Sequence, residues 1–171
     1  MSTVPLRDRL QWDGARGSVH DGPRRYLVMR PDVLMGAAVA LEPAARAAWF
    51  DAIAASTCRH GAHSLSAYAE QVHGDADALL TATAAAAADL GWGRWTLRRD
   101  GAQLALEVHD SPFVDGWRAA GGGTAEPVCA PIRGMLAALA EVVLGPDVRV
   151  EEHRCAAVEP GLCRFTARTH A

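Results

Sequence analysis

The stretch "VRVEEHRCAAVEPGLCRFTART", residues 148–169, decides how the fold is read. Its two ends alternate apolar and polar side chains at the period of a β-strand. Its middle, "AAVEPGL", holds a turn at Pro160-Gly161. In the first strand the alternation sets Val148, Val150 and Glu152 on one face, and Arg149, Glu151 and His153 on the other. Glu152 therefore follows two valines inward. A buried carboxylate costs several kcal/mol unless a cation or hydrogen-bond donors meet it. The turn folds Cys155 and Cys163 toward each other.

Upstream, "CAPIRGMLAALAEVVLG", residues 129–145, reads as a helix closed by Gly145 and Pro146. It puts Cys129 at a helix start, where a thiolate is favoured. "WGRWTLRRDGAQLALEVHD" alternates around Asp100-Gly101, a hairpin signal. Between these, "FVDGWRAAGGGTAEP", residues 113–127, reads as a loop, with Gly121 to Gly123 its most mobile part. Earlier come three helical segments: residues 32–56, broken near Pro43; residues 58–74, with Gly61 near the start; and residues 76–90, capped by Asp75 and ended by Gly91. "GSVHDGPRRYLVMRP" predicts two short strands around Asp21-Gly22, stopped by Pro31. Residues 1–14 are expected as a loose arm and 15–171 as a single domain. The order of elements is that of an α+β fold, with helices packed on an antiparallel sheet and room for an apolar cavity between the layers.

Composition narrows the function. The chain has 171 residues, half of them apolar, enough to bury a core without disulfides. Its net charge of −3 offers no basic face for a phosphate backbone, so direct nucleic-acid binding is not expected. The opening residues carry charges where a signal peptide needs an apolar run, and no apolar stretch approaches the ~20 residues that span a membrane. A cytoplasmic location without membrane insertion is expected, where four cysteines point to metal or packing rather than disulfides.

Two readings of the cysteines stand side by side. They are small buried hydrophobes, or Cys129, Glu152, Cys155 and Cys163 form a complete tetrahedral set for Zn²⁺. A complete set leaves no position for a metal-bound water, so such a zinc would be structural and would tie the helix start to the last hairpin. His153 is an alternative ligand if the strand carries a bulge.

Several runs are similar to the 4-vinyl reductase domain family, the predicted hydrocarbon-binding domains: "GWG" at 91–93, "HDSPF" at 109–113, "PVCAPIRGMLAALAEVVLG" at 127–145, "VEEHRC" at 150–155 and "LCRF" at 162–165. The N-terminal third, "GSVHDGPRRYLVMRPDVLMGAAVAL", resembles the start of sensor domains of aromatic-responsive bacterial transcription activators, which share the superfamily. The resemblance implies the ligand-binding fold of vesicle-tethering subunits and gas-sensing haem domains. It also implies a zinc on Cys129, Glu152, Cys155 and Cys163, a small aromatic held in a cavity beside the metal, and a homodimer. Where those sensors place a tryptophan that helps hold the ligand hydroxyl, this chain has Val108.

Tyr68, Trp92, Trp95, Val108, Phe113 and Trp117 are the candidate ligand-binding residues, with core packing as the alternative for each aromatic. Trp92 and Trp95 have opposite strand parity, so one of them is expected to face the cavity. No catalytic residue is assigned: the histidines lack a partner at a recognisable spacing. The expected function is a zinc-containing small-molecule-binding domain, a sensor or carrier for an apolar or aromatic ligand. The alternatives are an enzyme or accessory in tetrapyrrole vinyl reduction, as in bacteriochlorophyll biosynthesis, and a protein-interaction scaffold. The chain has no hydride-cofactor motif, which weighs against the enzyme.

Overall fold

The computed structural model describes residues 4–169. The chain opens with α1 (Leu6–Arg9), β1 (Gln11–Asp13), β2 (Ser18–Asp21) and β3 (Arg24–Tyr26), the strands forming a small antiparallel sheet in that order. Gly22, at φ +58°, makes the turn expected after Asp21. The segment expected as a loose arm differs over its described part, residues 4–14. Leu6 is buried, β1 pairs with β2, and the Arg9 guanidinium grips the Asp21 carboxylate at 3.0 Å. Residues 1–3 lie outside the described residues.

Helices follow: α2 (Pro31–Val39), α3 (Pro43–Gln71) and α4 (Ala76–Asp89). Pro43 starts α3 at a position where its missing N–H costs nothing. Asp75 caps α4, its carboxylate accepting from the Asp77 and Ala78 amides at 3.0 and 3.1 Å. The two helices expected on either side of residue 57 are one continuous helix, with Gly61 inside it. A mid-helix glycine costs about 0.5–1 kcal/mol, and packing on α6 (Ala130–Leu144) offsets it. A Cβ on Gly61 would lie 2.9 Å from Met135 Cε, and one on Gly134 would lie 2.2 Å from the Ala54 carbonyl oxygen. The two glycines let α3 and α6 cross closely.

The second sheet is built from β4 (Arg94–Asp100), β5 (Gln103–His109), β6 (Val148–Arg154) and β7 (Cys163–Thr169), antiparallel, in the order β4-β5-β7-β6. The last strand inserts between β5 and β6. Partners in register face the same way: Trp95, Val108 and Cys163 share one row, and Leu97, Leu106, Phe165 and Glu152 the next. This face is covered by the helices. The opposite face carries Thr96, Glu107 and Arg164, the last two paired at 3.1 Å. Helices on one side of an antiparallel sheet make the fold α+β, as expected.

The segment 113–127 departs from its reading as a loop. It begins with α5 (Pro112–Ala119), which buries Phe113, Val114 and Trp117. Pro112 sits in the first turn, and the apolar residues fall at one-, three- and four-residue spacings, the signature of a helix face. The glycine run is pinned rather than loose at its centre. The Gly122 amide donates to the Trp117 carbonyl at 2.9 Å, and a Cβ on Gly122 would lie 2.2 Å from the indole.

Candidate functional site

Four side chains from two pieces of chain, the start of α6 and the β6–β7 hairpin, meet under the sheet. Cys129 precedes α6, Glu152 lies near the end of β6, Cys155 follows that strand, and Cys163 opens β7. Their donor atoms all lie within 4.8 Å of one another. Cys129 Sγ is 3.5 Å from Cys163 Sγ and 4.0 Å from Cys155 Sγ. These separations are far above the ~2.05 Å of a disulfide. Three thiolates at about 2.3 Å from one tetrahedral ion would stand about 3.8 Å apart. The sulfurs are therefore already spaced for a shared cation.

The electrostatics ask for one. Glu152 Oε1 is buried with no hydrogen-bond partner among the described residues. Burial, then the neighbouring Cys155 sulfur, pushes the Glu152 carboxyl up to about 9. The Cys129 and Cys155 thiols hydrogen-bond to Cys163 and hold it down to about 4, and the Ala156 amide donates to the same sulfur at 3.3 Å. Cys129, hydrogen-bonded to both other sulfurs and buried, is pushed up. Without a cation the pocket keeps a proton on Glu152 that a solvated carboxyl sheds, beside a Cys163 sulfur that gives up its own. A metal ion would replace the protons that remain, so the residues fit such an ion.

A bulge between Glu152 and Arg154 shifts the β6–β7 register. Glu152, before the bulge, lies on the inner face opposite Phe165, and the chain gains a residue after it. His153 stays outside despite the bulge: it is exposed, with Nε2 2.6 Å from Thr166 Oγ1. Cys58 stands apart, 3.8 Å from Glu141 Oε1. Sequence reasoning missed Ser111, whose hydroxyl lies 3.4 Å from Cys129 Sγ. Its signal was the Ser-Pro pair that opens α5.

A cavity of about 340 Å³ lies between α3, α4, α6 and β4. Tyr68, Trp92 and Trp95 line it together with Leu65, Ala87 and Met135. Both tryptophans reach it, against the parity argument. Trp92 precedes the strand, so alternation does not govern it, and Gly93 at φ +90° turns the chain between them. The Trp95 indole N–H donates to the Trp92 carbonyl at 3.0 Å. Tyr68 accepts a hydrogen bond from Arg9 at 3.1 Å. His60 borders the cavity at its exposed edge.

The other three candidates lie elsewhere. Phe113 packs edge-on to Trp92 at 5.3 Å and lines a separate hollow against the small sheet. Trp117 packs on Phe50, with the Arg46 guanidinium 5.5 Å from its ring centre. Val108 is fully buried between its register partners Trp95 and Cys163. One valine therefore separates the cavity wall from a cysteine of the cluster.

Residues 104–169 match the family model of the V4R domain, the family that the C-terminal motifs resemble. A search of curated protein sequences finds no match. Among solved structures the chain is similar to the phenol-responsive sensory domain of the transcription activator PoxR with phenol. The TM-score is 0.72 at 20% identity, over 96% of this chain and 86% of that one. It is also similar to a trafficking protein particle complex subunit 3 from Naegleria fowleri covalently bound to palmitic acid. There the TM-score is 0.53 at 12% identity, over 82% of this chain and 95% of that one. At these identities the likeness is one of fold. No helix of the described residues is long and apolar enough to cross a membrane.

Proposed function

We propose that this chain, with its V4R match over residues 104–169, is a sensor or carrier domain that binds a small apolar or aromatic molecule beside a structural zinc ion. The observation that carries the reading is the shared wall: Trp95 lines the cavity, Val108 is its register partner, and Cys163 is the next. A cavity of about 340 Å³ suits a substituted ring, since about 150 Å³ accepts benzene. Its lining is largely aromatic and aliphatic, which favours an apolar ligand. Val108 offers no hydrogen bond, so a polar handle on the ligand would meet Tyr26, Tyr68, His60 or the serine and threonine hydroxyls of the lining.

Cys129, Glu152, Cys155 and Cys163 would hold the zinc. When bound, the metal supplies a cross-link between the start of α6 and the β6–β7 hairpin. Ser111 would donate to the Cys129 sulfur and the Ala156 amide to Cys163, holding both thiolates in orientation. Four protein donors leave no position for an activated water, which favours binding over catalysis. A ligand that displaces Trp95 presses on Val108 and through it on the hairpin. The exposed Trp12, Leu27, Val28 and Met29, clustered on and beside the small sheet, favour a homodimer as the form that reads this movement. A cytoplasmic location goes with the reduced thiols.

The test is elemental analysis of freshly purified protein and of its Cys129→Ser variant, followed by calorimetric titration with phenol and larger aromatics. About one zinc per chain, lost with destabilisation in the variant, supports the reading. Metal-free protein from chelator-free buffer, or no heat with any aromatic, refutes the corresponding half.

A further inference from the structure

We infer that the metal of the four-donor cluster exchanges with solvent through one route, the groove between α3, α6 and β6, with Glu152 as the donor that lets go. The inference rests on the metal reading above. A groove of about 570 Å³ opens on the surface there, bordered by Ala47, Asp51, Ala130, Arg133, Val150 and Glu152. Glu152 is the one member of the cluster that reaches it. Cys129, Cys155 and Cys163 are at most 3% exposed and do not border it. Cys163 is walled off by Val108 on β5, and Cys129 by Ser111.

The chemistry of the donors agrees with the geometry. Thiolates are the softer ligands and hold a thiophilic ion longer than a carboxylate does. Glu152 Oε1 makes no hydrogen bond that would have to break when it swings away. Arg133 borders the same groove. The Arg133 amide bonds to the Cys129 carbonyl at 3.0 Å, which fixes Arg133 one turn along α6, and its guanidinium is held by Asp51 at 2.8 Å in the groove. A Glu152 carboxylate released toward the groove would meet that positive charge, leaving its place to an oxygen, nitrogen or sulfur donor that enters by the groove.

The experiment loads the full chain with zinc and follows stopped-flow transfer to the chromogenic chelator 4-(2-pyridylazo)resorcinol. Ala47→Trp places a bulky side chain on the exposed face of α3 at the groove. It is expected to slow transfer several-fold while keeping one zinc per chain; Ala47→Arg is a second plug should the tryptophan perturb folding. Ala55→Trp, exposed on the same helix and bordering neither the groove nor the ligand cavity, is expected to transfer zinc at the wild-type rate. Wild-type rates in both Ala47 variants, or slowing by Ala55→Trp, would overturn the route while leaving the metal reading intact. A chain that takes up no zinc overturns the metal reading, and the route falls with it.

Discussion

Replacing Glu152 by glutamine should stabilise the metal-free protein at neutral pH and weaken the metal-loaded one. In the metal-free cluster, burial and the Cys155 sulfur carry the Glu152 carboxyl from an ordinary 4.5 up to about 9. A carboxyl kept protonated at pH 7 against such an ordinary value costs the folded state about 3 kcal/mol relative to the unfolded chain. The sign follows from linkage: a folded-state value raised above the unfolded one gives stability that is complete below pH 4.5 and lost as pH rises toward 9. The Cys163 value moves the opposite way, but it contributes to both proteins and largely drops out of their difference. Glutamine keeps the shape and removes the titration, although its buried amide returns about 1 kcal/mol or more if unpaired. Urea denaturation of chelator-treated protein should therefore show Glu152→Gln more stable by about 1–3 kcal/mol at pH 7, with the gain shrinking toward pH 4.5. With zinc bound the order should reverse, because the variant loses an anionic donor. A metal-free variant less stable than wild type at pH 7, or a gain that does not shrink on acidification, would refute the reading of Glu152 as an unsatisfied buried acid.

Three further outcomes are expected. Gly134→Ala puts a Cβ 2.2 Å from the Ala54 carbonyl oxygen and should cost about 1–3 kcal/mol despite the gain in helix propensity. Gly36→Ala meets only Ala120 Cβ at 3.7 Å and should stabilise by about 0.5–1 kcal/mol, so thermal melts of the two should move in opposite directions. Ala87→Phe fills the cavity from α4 and should abolish aromatic binding by calorimetry while leaving zinc content at the wild-type level.

Three of the four clustered side chains were legible in the sequence for local reasons. Strand parity alone turns Glu152 inward after Val148 and Val150, and a short turn brings Cys155 back to Cys163. Helix punctuation was legible in the same way: Asp75 caps α4, Pro43 opens α3, and Asp21-Gly22 and Asp100-Gly101 turn the two hairpins. The C-terminal motifs also pointed to the family whose model matches residues 104–169.

The remainder depended on partners far along the chain. Gly61 reads as a helix boundary until Met135 of α6 is seen packed on it. Gly122 reads as slack until the Trp117 indole is placed against it. Trp117 and Phe113 carry the same aromatic signal as Trp95, and only the packing of α5 directs them away from the cavity. Trp92 escapes the alternation that governs Trp95 because the strand starts after it. Periodicity reports which way a side chain points within its own element. Which element stands opposite is set by close packing between segments distant in sequence, and here that packing determined the cavity, its distance of one valine from the cluster, and the groove at Glu152.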